Sequence, residues 1–356
     1  MKPAPQGKEG NALSPVLYMA PESSQLPCAE SLSRPALRII RWSRVRVEAG
    51  PPCIAVLSTS LYGNPPTDSF CPMRSLILTY HSHHMAGSDY ASNDHVALRT
   101  DLPLFGEAGY RIVSLAELVD RFRAKQSGRA TNAQDPPCVA ITFDDGPEYD
   151  AVDHLHPTLG PQRSFLGILQ DFAQSPAGKA QSGLCATSFV IACPAARKVM
   201  EDTTRSGPYY LHAGAMNDDW WFAAIDSGLM TIANHSWDHL HPALPSVAHS
   251  RQAKADFTQV DSLADADAQI LAAAQYIDDR TNGRASPFFA YPFGQYNAFL
   301  VEKYFPDNRS RIGIEAAVTV DGRPLRATDS IWKLPRFSCG YNWTTPGELL
   351  QLLRTA

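Results

Sequence analysis

Residues 139–146 read "VAITFDDG", a largely apolar run that ends on two adjacent carboxylates and a glycine. The run has the length and composition of a buried strand. Asp144 beside Asp145 is costly in that setting, because like charges repel and the repulsion grows where water is scarce. A bound cation is the simplest compensation, and its other ligands then belong elsewhere in the chain.

Strands alternate with helices on either side of this stretch. Upstream, "SLILTYH" (75–81) reads as a buried strand. Residues 101–125 read as helix, turn, short strand and helix, with Asp101 as a cap, Gly109 as a stop, and Ser114 as an N-cap with Glu117 three residues later. Downstream, strands are expected in "CATSFVIAC" (185–193), "MTIANHS" (230–236), "SPFFAYPFG" (286–294) and "IGIEAAVTV" (312–320). Helices are expected in 156–174, in 217–229 with Asn217 or Asp218 as cap, along 247–279, in 297–305 and in 346–356. The alternation predicts an α/β fold with parallel strands and helical crossovers over residues 73–356. Residues 1–72 are rich in Pro, Ser and Arg and keep no periodicity. They are expected to form an irregular N-terminal extension, with Met73 a candidate for the functional start.

Composition narrows the function. The chain has 356 residues, of which 44% are hydrophobic and 19% charged, with a formal net charge of -5. That balance disfavours a dedicated nucleic-acid binder. No apolar run approaches the roughly 18 residues of a membrane span, and no signal-peptide pattern is visible. The expected compartment is cytoplasmic by default, with export left open. The seven cysteines, Cys28, Cys53, Cys71, Cys138, Cys185, Cys193 and Cys339, form no CxxC pair and read as scattered thiols.

In α/β folds, working residues gather at the C-terminal ends of strands. Three strand ends stand out: Asp144-Asp145-Gly146, "NHSWDHLH" (234–241) and "AYPFG" (290–294). His235 and His239 share a face if their segment turns helically, although His241 and Asp238 compete as ligands. Two imidazoles and one carboxylate suit Zn²⁺ with open positions, which leaves the other aspartate as a base. Tyr209, Tyr210, Trp220 and Trp221 cluster before this motif and read mainly as core, with a sugar-stacking wall as the alternative.

"TFDDG" followed by "HSWDH" resembles the polysaccharide deacetylases of carbohydrate esterase family four, the NodB-homology domain, over residues 74–340. The resemblance implies a distorted (β/α) barrel and one metal ion, usually zinc. It also implies hydrolysis of an N-acetyl group from an amino sugar or polysaccharide. By position, Asp145, His235 and His239 would hold the metal and Asp144 would be the catalytic base. The family's RxPxG motif stands here as Ala290-Tyr291-Pro292-Phe293-Gly294, without the arginine. This form is similar to the poly-N-acetylglucosamine deacetylase branch. Phe293 would give its backbone N–H to the oxyanion, and Arg336 in "LPRFS" is the candidate to replace the missing arginine. The late general-acid histidine is also missing, because no histidine follows His249. His81 is the candidate acid, ahead of His83 and His84. Two other readings remain at this level: a metal amidohydrolase of a small non-sugar amide, and an inert carbohydrate-binding relative.

Overall fold

The structure is a computed structural model and describes residues 73–128, 136–205 and 207–355. The expectations for residues 1–72 lie outside the described residues.

The strands, in chain order, are β1 (Ser75–Tyr80), β2 (Arg111–Ile112), β3 (Cys138–Phe143), β4 (His154–His156), β5 (Gly160–Gln162), β6 (Ala186–Val190), β7 (Met230–Asn234), β8 (Phe288–Ala290), β9 (Ala316–Val318) and β10 (Phe337–Ser338). All except the β4–β5 hairpin join one parallel sheet of order β10-β1-β3-β6-β7-β8-β9, with β2 against the start of β3. Leu334 bridges to Val318 of β9, and Phe337 pairs with Leu78 of β1. The segment 334–338 thus ties the last strand back to the first, which makes the sheet a distorted (β/α) barrel.

Every residue of β1 and β3 is buried, as expected for parallel strands covered on both faces. Leu76, Leu78 and Tyr80, with Val139, Ile141 and Phe143, pack outward against the helices. Ile77, Ala140, Phe189, Ala233 and Phe288 fill the interior, together with Leu115, Leu118, Val119 and Phe122 of helix Leu115–Gln126. One end of the barrel is therefore closed by side chains. The other end, where the strands finish, carries the polar residues.

Local expectations were corrected in four places. Helix Asp94–Glu107 starts earlier than Asp101 and is capped by Asn93, whose side chain accepts from the His95 amide. Asp101 lies buried inside it, accepting from Tyr80, Tyr90 and Trp343. Helix Trp221–Asp226 has no side-chain cap. Asp218 instead binds Arg197, Arg280 and Tyr276. The helix expected over 247–279 begins only at Leu263, where Ser262 caps it, and it contains a π-helical stretch at Asp267–Leu271. Asp238 takes the Ala248 amide at 2.6 Å, and Gln252 and Ala255 have positive φ, so the preceding residues follow a loop. The β4–β5 hairpin had no counterpart in the sequence reading. Ser114 does cap helix Leu115–Gln126, accepting from the Glu117 amide.

Candidate active site

Past β3 the chain separates its two carboxylates. Asp145 and Gly146 take left-handed φ values of 73° and 68° in succession. Asp144 enters the barrel and is nearly sealed, whereas Asp145 faces the loops at the rim. Gly146 is required here, because a Cβ would stand 2.8 Å from the Val190 Cα on neighbouring β6.

Arg336, on the segment that closes the barrel, is fully buried. Its Nη1 donates to Asp144 Oδ1 at 2.8 Å and its Nη2 to Oδ2 at 2.7 Å. Further donations go to the Thr319 carbonyl, Thr142 and Thr79, and the guanidinium lies over the Phe189 ring. Burial disfavours the Asp144 charge, but the Arg336 guanidinium holds its carboxyl below the usual carboxylate range.

Asp145 faces the imidazoles. His235 Nε2 and His239 Nε2 each lie 3.6 Å from its Oδ1. Donor atoms of Asp145, His235 and His239 all fall within 4.8 Å of one another. The His235–His239 segment does not turn as a helix. Ser236, His239 and Leu240 have positive φ, and the His239 amide donates to Ser236 Oγ. Asp238 turns away to serve backbone amides and Gln269, and His241 stays on the cavity wall.

These residues fit a cation. The Ala290 carbonyl is 2.9 Å from His235 Nδ1, which fixes the proton on that nitrogen. His235 Nε2 then presents a lone pair toward a carboxylate oxygen, an arrangement that a positive ion reconciles. Burial lowers the His239 pKa to about 3, so that ring is neutral. "AYPFG" lacks its arginine but supplies the carbonyl that orients His235. Phe293, with φ 56°, stands at the rim with its ring 4.4 Å from His239.

The three histidines after β1 have different surroundings. His81 lines the cavity, and its amide donates to Asp94 Oδ2. His83 is buried, its Nε2 is 3.6 Å from Asp145 Oδ2, and its Nδ1 has no partner among the described residues. His84 pairs with Asp94 at 2.7 Å, and that contact raises its pKa against the effect of burial. His81, His83, Asp144, Asp145, His235, His239 and Phe293 line one cavity of about 350 Å³, while Arg336 and His84 lie outside it.

No family model matches the chain, and no curated protein matches it either. Solved structures do. The deacetylase PplD of Streptococcus pyogenes, solved in complex with acetate, superposes with TM-score 0.50 at 19% identity, covering 79% of this chain and 99% of that one. IcaB of Ammonifex degensii gives TM-score 0.50 at 16% identity, with 79% and 97% covered. The fold is that of a known deacetylase.

Two cavity residues, His83 and Tyr209, were ranked low from sequence. His83 was ranked below His81, yet the chain turns past Tyr80, with the His84 amide donating to the His81 carbonyl, and brings the two rings within 5.9 Å of each other. Tyr209 lines the cavity against His83 and His84, whereas Trp220 and Trp221 are core. No local pattern separates Tyr209 from Tyr210.

Proposed function

We propose that this chain is a metal-dependent hydrolase that removes N-acetyl groups from an amino sugar or its polymer. One observation carries the reading: an Asp-His-His donor set and an arginine-clamped aspartate open side by side into one cavity of a deacetylase fold. Asp145, His235 and His239 would hold a divalent cation, zinc being the best match to one carboxylate and two imidazoles, and it would supply Lewis acidity toward a water and an amide carbonyl.

The remaining steps belong to side chains and backbone. Asp144 stands ionised, and each oxygen keeps a lone pair beyond those used by Arg336, so it takes the proton from the attacking water. Arg336 fixes the orientation of that carboxylate, the part assigned to the arginine missing from "AYPFG". The Phe293 amide donates to the carbonyl oxygen as it gains negative charge. His81 gives a proton to the departing amine.

Metal analysis coupled to an acetate-release assay on N-acetylglucosamine oligomers tests the proposal. The protein should purify with stoichiometric divalent metal and release acetate. Asp144→Asn should abolish release and keep the metal, while His235→Ala should lose both. Normal turnover by Asp144→Asn would remove the assigned base. A metal-free wild type with no activity after metal addition would remove the whole reading.

A further inference from the structure

Few large apolar side chains are exposed among the described residues, and two of them stand at this cavity: Tyr209, 44% exposed, and Phe293, 42% exposed. They flank Asp145, because Tyr209 packs on His83 beside one carboxylate oxygen and Phe293 packs on His239 beside the other. Tyr209 is held by backbone as well as by rings. It pairs with His84 in an antiparallel bridge, the Met85 amide donates to the Pro208 carbonyl, and the Tyr210 amide donates to the His83 carbonyl. The Tyr209 ring lies 5.0 Å from His83 and 5.4 Å from His84. Tyr210 packs elsewhere, edge-on to His156. Tyr209 is thus a fixed aromatic plate with one side on imidazoles and much of its surface open to solvent. Beneath it the cavity wall is apolar, formed by Met200, Leu211 and Met216, and the lining contains no Lys, Arg or Glu.

We infer that Tyr209 is a sugar-stacking residue that selects a pyranose ring of an uncharged, N-acylated amino sugar. The C–H face of a pyranose is apolar and weakly positive at its hydrogens, which matches the negative face of a phenol ring. A rigid plate loses little freedom on binding. The absence of Lys and Arg from the lining, with Asp144 and Asp145 present, leaves no basic side chain to pair with a uronate or a sulfated sugar. The identity of the reacting group rests on the deacetylase reading above, whereas the stacking does not.

The test compares Tyr209→Ala, Tyr209→Phe and Tyr209→Trp on N-acetylglucosamine tetramer, with thermal unfolding as a check that each variant is folded. Stacking predicts that Tyr209→Ala raises KM by about five- to tenfold, the range an aromatic contact supplies, with kcat within about twofold. Phe and Trp should restore the wild-type KM. An unchanged KM in Tyr209→Ala would overturn the inference, as would an equal defect in Tyr209→Phe, which would assign the effect to the hydroxyl. If wild type releases no acetate, the deacetylase reading fails and calorimetry with the same tetramer decides this one. Binding by wild type that is lost in Tyr209→Ala and kept in Tyr209→Phe supports stacking, and any other pattern overturns it.

Discussion

Asp144 and Asp145 are adjacent in sequence, yet they meet different partners. Two successive left-handed residues turn one carboxylate toward Arg336 and the other toward His235 and His239. Their mutual repulsion is offset twice, by a guanidinium on one side and by a donor set suited to a cation on the other. Arg336 and the Asp144 side chain are 0% and 6% exposed, so the pair has little screening. Removing one partner of a buried pair leaves an unpaired charge and costs about 3–5 kcal/mol. Arg336→Met should therefore lower unfolding free energy by about that amount in urea titrations and should abolish turnover. The double variant Asp144→Asn/Arg336→Met should regain much of the stability while staying inactive, because no charge is left stranded. A double variant no more stable than Arg336→Met would mean that the arginine acts through packing alone.

At the scale of elements, the strands were legible and their joints were not. "SLILTY" and "CVAITF" announce themselves as continuous apolar runs, since both faces are covered. The Asp145, His235 and His239 positions were likewise readable, because each follows a recognisable strand. The Arg336–Asp144 pair spans 192 residues, and no local pattern encodes it. Residues 247–262 looked helical because they hold alanines and charges, but buried Asp238 captures a backbone amide and breaks the periodicity. The turn after β3 makes a further prediction. Gly146→Ala combines φ +68° with a 2.8 Å approach to the Val190 backbone. It should cost well over the roughly 1 kcal/mol of a strained left-handed alanine. Gly109→Ala is the control, since Gly109 has φ +77° with nothing within 4 Å of the new methyl. It should cost only about 1–2 kcal/mol. Equal losses in the two variants, read by urea unfolding, would show that the contact with β6 is slack.

Across the whole molecule, two buried carboxyls push the pH dependence of stability in an unusual direction. Asp101 joins β1, helix Asp94–Glu107 and the C-terminal region by accepting from Tyr80, Tyr90 and Trp343. Burial raises its pKa to about 7, although the three donors pull the other way. Asp150, held by Ser188 and Ser82, is likewise raised to about 7 by burial. In the unfolded chain both titrate near 4. Between about pH 4 and 7 these two groups bind more protons in the folded chain than in the unfolded one, so their contribution to stability falls as pH rises. Each group contributes about 2 kcal/mol of loss from pH 5 to 7. Carboxyls held low, such as Asp144 and Asp218, act in a different window, since their contribution is lost only as pH falls below about 4. Buried histidines held low, such as His83 at about 4 and His154 and His239 at about 3, act the opposite way in the same window, so the carboxyls are read as a difference from wild type in how unfolding free energy changes between pH 5 and pH 7. Asp101→Asn should shift that change by about 2 kcal/mol toward greater stability at pH 7, because it keeps an acceptor for the tyrosines without the ionisation. A change from pH 5 to 7 that is the same in Asp101→Asn as in wild type would mean that the three donors outweigh burial and that Asp101 is ionised in the folded state.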